Sequence, residues 1–289
     1  MNIKIRRFVS SLTGKNKIKF FIVLALICIL AICVGIYGQF FYRYSETDPL
    51  MMGINLGAQK SEEEYAQLEA DFSALFTNSY YEKSKNTAVE KIENSQQIVY
   101  TNYNIKNEEE NYYSVDVKIP VININTENAK QINTEIKSNY YDKANNIMRQ
   151  QNEYVNYKVS YVAYLCQDVL SVVIKSTIKE GENPEREIIK TYNYSLPDDK
   201  QISLTNLIES KGTTTEVVQA KIEDEIKMAY NNAQSLPEEF RSEVKRDLNS
   251  SMYKVENTRT FFITQDGYVY IVYSYGENLY TNEKDIVIF

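Results

Sequence analysis

Carboxylates are the groups in this 289-residue sequence best supplied for acid–base chemistry, and the conspicuous ones come in runs: Glu62–Glu63–Glu64, Glu108–Glu109–Glu110 and Asp198–Asp199. Two such groups facing each other across a cleft could hydrolyse a glycosidic bond. Adjacent members of a run do not make that pair. Like charges held together in a cleft cost free energy, so runs mark solvated faces and turns. The sequence contains no His, which removes Ser-His-Asp and Cys-His catalysis and His-ligated zinc. Of its three Cys, Cys28 and Cys33 lie in an apolar segment and Cys166 stands alone downstream. A solitary Cys forms no intradomain disulfide and reads as a small buried apolar residue. Asp266-Gly267 could pass for part of a calcium loop, but the alternating residues around it make it a hairpin turn. No nucleophile elbow, P-loop, dinucleotide fingerprint or EF-hand loop is present. No catalytic, cofactor-binding or metal-ligating residue is therefore expected, no ligand-binding residue stands out, and the chain is not expected to be an enzyme.

Charge is unevenly spread. Residues 1–43 hold seven Lys or Arg and no acid, while residues 44–289 hold 25 basic and 39 acidic residues, a net charge of −14. So acidic a surface argues against nucleic acid as a partner, because phosphate binding needs a basic face. Between Phe20 and Tyr42 there is no charged residue at all. A helix over that run reaches roughly 33 Å, enough to cross a hydrocarbon core of about 30 Å. Six basic residues precede it, and Tyr37, Phe40, Phe41 and Tyr42 crowd its far end, where interfacial aromatics belong. The positive-inside rule then places residues 1–19 in the cytoplasm and the acidic remainder outside the cell. A cleaved signal peptide would have a shorter apolar core and a small-x-small site. A lipoprotein would carry a small residue before its Cys, where Ile27 and Ile32 stand.

Residues 43–95 read as a juxtamembrane linker followed by an amphipathic helix. Ser61 and Glu64 have the form of a capping box, and Tyr65, Leu68, Phe72, Leu75 and Phe76 make a helical stripe ending near Asn78. From Gln96 the period changes to two. Tyr113, Val115, Val117 and Ile119 form a half-buried strand, and Pro120 implies an edge or a bulge. Ala129, Ile132, Ile136, Tyr140, Ala144 and Ile147 then repeat every 3.6 residues, the mark of one long helix. Val155 to Leu165 alternates again, and Val169–Ile178 and Glu187–Tyr194 read as a strand pair joined by a turn. In residues 201–289, a capping box at Thr213 and Glu216 heads a helix carrying Val218, Ile222 and Ile226. A third box at Ser235 and Glu238 heads another, with Phe240, Val244 and Leu248. A hairpin around Asp266-Gly267 and a last strand, Asp285 to Phe289, close the chain. The expected class is α+β. Antiparallel sheets covered by helix on one face form two small subdomains, 96–200 and 201–289, preceded by a single N-terminal transmembrane helix.

Several runs, in order, resemble a known family: VDVKIPVI at 115–122, IN at 132–133, LSVVIK at 170–175, TYNYSL at 191–196, ISLTNLI at 202–208 and FFITQDGYVYIVYSY at 261–275. Together they are similar to the RsiV-like and PdaC-like tandem extracytoplasmic domain of low-GC Gram-positive bacteria, over roughly residues 96–289. The resemblance implies an α+β binding module in the cell envelope, which in lysozyme-sensing anti-sigma factors captures lysozyme while a cytoplasmic segment holds a sigma factor. Here that segment is about 19 residues, short for sigma binding. Deacetylase carriers have a separate His-dependent domain, so that activity is not implied. The expected function is that of a single-pass membrane-anchored sensor for a secreted cationic protein such as lysozyme, or for a cell-wall component. The alternatives are an anti-sigma factor acting through residues 1–19 and a peptidoglycan hydrolase working by carboxylates alone. No cofactor is expected.

Overall fold

In a computed structural model the described residues are 62–83, 89–150, 153–235, 238 and 244–289. The expected membrane span at 20–42, its flanks and the capping Ser61 lie outside them. Among the described residues no helix is long and apolar enough to cross a membrane.

Residues 62–289 fold as α+β with one mixed and one antiparallel sheet. Helix α1 (Glu62–Ala74) leads into β1 (Ser79–Glu82), and β2 (Val99–Glu109) pairs antiparallel with β3 (Tyr113–Ile122). Next come α2 (Glu127–Ile136), a π-helical turn (Lys137–Asp142) and α3 (Lys143–Ile147). β4 (Val155–Cys166), β5 (Val169–Glu180), β6 (Arg186–Ser195) and the short β7 (Lys200–Gln201) form an antiparallel meander. β3 runs parallel to the first half of β4, and β1 runs parallel to its second half. The expectation of purely antiparallel sheets is thereby corrected. A helix leaves β3 at one end and delivers the chain to β4 for a second pass in the same direction, and such a crossover requires parallel neighbours. After α4 (Leu204–Ser210) and α5 (Thr215–Ser235) come β8 (Phe261–Ile263), β9 (Val269–Ser274) and β10 (Lys284–Ile288), an antiparallel sheet in the order β10-β9-β8.

Strand alternation sorts the cores. Val155, Tyr157, Val159, Tyr161, Ala163 and Leu165 of β4 join Ile132, Ile136 and Tyr140 on one side of the large sheet. Val162 and Tyr164 meet Phe72 of α1, Phe262 of β8 and Ile286 of β10 on the other. Both faces are therefore covered, not one as expected. This is why β5 reads LSVVI without strict alternation. Each such aliphatic side chain contributes about 2 kcal/mol by leaving water. The helix expected from the 129–147 stripe keeps every stripe residue buried but widens at its centre. There Lys137 and Asp142, five residues apart, form a 2.7 Å ion pair, a spacing that the broader π turn brings onto one side. Pro120 sits where β2 bulges between Thr101 and Tyr103, as its missing N–H requires.

Caps moved more than stripes. Thr214, not Thr213, accepts from the backbone of Val217 ahead of α5. An unanticipated box joins Ser203 and Asn206 at α4. Ser235 is the last residue of α5 rather than a cap, and residues 244–248 are not helical, so no third helix extends over the described part of that stripe.

Polar side chains tie the two sheets. Asn193 donates to the carbonyl of Phe261 (2.7 Å) and accepts from the Ser171 hydroxyl (2.7 Å), which itself accepts from Ile263 N–H (3.1 Å). Asn133 plays a similar part beneath α2, bonding both the N–H and the carbonyl of Ile122 at 2.8 Å.

Buried tyrosines make the fold sensitive to base. Burial raises Tyr273 to about 12 and lifts Tyr157, Tyr164 and Tyr192 further still. A phenol whose folded value exceeds its unfolded value of 10.0 contributes stability that is complete below that value and lost as pH rises through the folded one. The full chain is expected to hold its structure at pH 9 and to unfold cooperatively between about pH 10 and 12. Tyrosinate absorbance should rise in step with the loss of circular dichroism. A smooth tyrosine titration with structure retained would count against it.

Candidate functional site

A cleft among the described residues is assembled from four places far apart in sequence. Parallel pairing aligns Glu82 with Leu165, so the next residue along, Lys83, emerges beside Cys166 at the end of β4. Gln167 follows in a tight turn with φ of +53°, closing β4 onto β5. Lys211 caps the last turn of α4, its N–H bonded to the carbonyls of Leu207 and Ile208. Gln265, Asp266 and Gly267 form the β8–β9 turn, which is closed by Gly267 N–H on the Thr264 carbonyl at 3.0 Å. The cleft between them has a volume of about 300 Å³.

Its charges are specific. Lys83 Nζ lies 3.2 Å from Asp266 Oδ1, an exposed pair of small energetic weight. Lys211 Nζ donates to the Gly267 carbonyl at 3.1 Å, a neutral acceptor. Gly267 has φ of +95°, and a Cβ there would stand 3.1 Å from the Lys211 ammonium. Only glycine both adopts that backbone and leaves the room. On the wall, Cys166 is buried as its sequence context implied. Burial pushes its thiol up, against a downward pull from Lys211 and Lys83. It is thus protonated at neutral pH, a weak donor rather than a nucleophile.

The carboxylate runs lie on three different elements. Glu63 and Glu64 are exposed at the start of α1, Glu108–Glu110 are exposed in the β2–β3 hairpin, and Asp198 is exposed in the β6–β7 turn. Asp199 beside it accepts from the Tyr194 hydroxyl, which holds its carboxyl below the usual range. Among the described residues no group of three or more Cys, Asp or Glu is placed to hold a metal ion. Asp266-Gly267 does form the expected hairpin turn. The sequence singled out Cys166 and Asp266 separately. It carried no signal for Lys83 and Lys211, two ordinary lysines made notable only by where the sheet puts them.

No family model and no curated protein matches the chain. Among solved structures it is similar to a DUF3298 family protein from Pseudomonas aeruginosa, with 12% identity and a TM-score of 0.38 over 62% of this chain and 82% of that one. It is also similar to a DUF3298 family member from Bacteroides fragilis, with 12% identity and a TM-score of 0.33 over 61% of this chain and 80% of that one. Neither name states a ligand or a reaction.

Proposed function

We propose that the chain is a single-pass, membrane-anchored binding or sensor protein of the bacterial cell envelope. In this reading its acidic domain lies outside the cell and engages a cationic protein, such as lysozyme, or a cell-wall component. The observation that carries it is the charge division along the sequence, six basic and no acidic residues in 1–19 and a net −13 in 43–289, on either side of an uncharged run long enough to span a bilayer. The acids of the domain stand at exposed positions on several elements, among them Glu63 and Asp71 of α1, Glu108–Glu110 of the hairpin and Glu216, Glu223 and Asp224 of α5. A field spread in this way raises the encounter rate with a cationic partner and discriminates against anionic ones. Catalysis is no part of the proposal.

Full-length chain in membrane vesicles is expected to retain lysozyme at low salt and to lose most of it at high salt, because exposed charges are screened beyond about 8 Å at physiological ionic strength. Protease added to intact cells should digest residues 44–289 and spare 1–42. Retention indifferent to salt, or none at any salt, would remove the electrostatic partner. A domain protected in intact cells would remove the topology. The alternative, anti-sigma action through residues 1–19, predicts a changed transcript profile when residues 2–15 are deleted.

A further inference from the structure

The geometry points to a second binding function, opposite in sign to the domain's exterior: the cleft between the β4–β5 turn and the β8–β9 turn is a site for a monoanionic carboxylate, such as the free carboxyl end of a short peptide or an acylated amino acid. Its volume of about 300 Å³ is at the lower end of small-ligand sites and matches a ligand of one or two residues. The charge count selects the ligand. Among the described residues, Lys83 is opposed by Asp266 at 3.2 Å, whereas the hydrogen bond of the Lys211 ammonium goes to the neutral Gly267 carbonyl at 3.1 Å. Counted over the described residues that line it, two lysines and one aspartate, the cleft carries a net charge of +1. A carboxylate neutralises it. A phosphate dianion would exceed it and would set its second charge against Asp266.

Donors and acceptors match as well. An ammonium has three N–H groups, and Lys211 spends one of them on Gly267, so the others can reach a carboxylate. Asp266 has lone pairs beyond the one facing Lys83, an acceptor for the amide N–H next to the ligand's carboxylate. Leu165 and the protonated Cys166 give an apolar wall for a small side chain. Gly267 fixes the arrangement, because its left-handed backbone holds the carbonyl under the Lys211 ammonium without a Cβ in the way.

This site does not depend on the reading of the acidic exterior. A chain that ignored cationic proteins would still bind or fail to bind a carboxylate here, and the experiments share no readout. The probes are N-acetylalanine, its neutral amide and inorganic phosphate, each at millimolar concentration with the full-length chain in detergent. Saturation-transfer NMR reads binding. N-acetylalanine is expected to show saturation transfer, and the amide to show none. Lys211→Met should weaken acid binding about tenfold or more, as loss of a charged hydrogen bond implies, and Lys211→Arg should restore most of it. Equal behaviour of acid and amide, tighter binding of phosphate, or wild-type binding by the folded Lys211→Met chain would each overturn the proposal. Should that variant fail to fold, the comparison of acid with amide on the unaltered chain still decides.

Discussion

Replacing Arg246 with Met is expected to lower the unfolding free energy of the chain by about 3–5 kcal/mol, the cost of stranding a buried charge. Arg246 grips Asp285 of β10 through Nε at 2.9 and 3.1 Å and through Nη2 at 3.0 Å, and Nη2 also reaches Glu283 at 3.3 Å. Both side chains of the Arg246–Asp285 pair are only 8% exposed, so solvent cannot take the place of either partner. The Tyr275 hydroxyl donates to the same carboxylate and lies 2.8 Å from that of Tyr253. Burial, with Asp285 close by, holds the Tyr275 phenol far above its usual range. Without the guanidinium, Asp285 keeps the Tyr275 hydroxyl as a donor and loses the counter-charge of Arg246. Urea unfolding of the full chain reads the effect as a lower midpoint at an unchanged slope. The double variant Arg246→Met with Asp285→Leu should recover at least half of the loss, because a buried ion pair exchanged whole for apolar groups is close to neutral. A single variant within about 1 kcal/mol of the parent would show that the pair is screened after all.

A Cβ at position 276 produces a loss of similar size by a different route. The loop after β9 passes so close to β6 that an added methyl would stand 2.1 Å from the Glu187 carbonyl oxygen and 2.8 Å from its nitrogen and carbonyl carbon. No side chain can step aside, since every atom met is backbone. That backbone is already engaged. Glu187 N–H donates to the Thr281 carbonyl at 3.0 Å, and its carbonyl accepts from the Ser274 hydroxyl at 2.7 Å. The Glu187 side chain meets the buried Lys284 ammonium at 3.0 Å, and Lys284 reaches Glu69 of α1 at the same distance. Moving the loop therefore disturbs the contact of the small sheet with both the large sheet and α1. Gly276→Ala is expected to cost about 3 kcal/mol, the upper range for forcing a methyl into a packed site. The control is Gly212→Asn. That position also has a left-handed backbone, with φ of +70°, but nothing lies within 4 Å of its Cβ, and Asn tolerates the conformation. It should stay within about 1 kcal/mol of the parent. Equal midpoints for the two variants would mean that close approach is not what position 276 requires.

Local pattern was legible in the sequence wherever one residue's neighbours settle its environment. Alternation at 113–119 and 155–165 gave the strands, because a pleated strand sends alternate side chains to opposite faces. The 3.6-residue stripe from Ala129 to Ile147 named the buried helix face residue for residue, and Pro120 announced a break in the ladder. The Asp266-Gly267 turn was readable because two adjacent residues determine it. Pairing was a different matter. That β1 lies parallel to β4 and that β8 hangs from Ser171, Thr191 and Asn193 are decisions between segments far apart, and no short window contains both partners. The same holds for the charges. Arg246 with Asp285, and Lys83 and Lys211 around Cys166, were unremarkable one by one. Composition alone determined that histidine chemistry is absent, and that residues 44–289 carry a net charge of −14. Only the folded sheet decided which lysines stand together, because proximity across 128 residues, from Lys83 to Lys211, is a property of strand register and not of spacing.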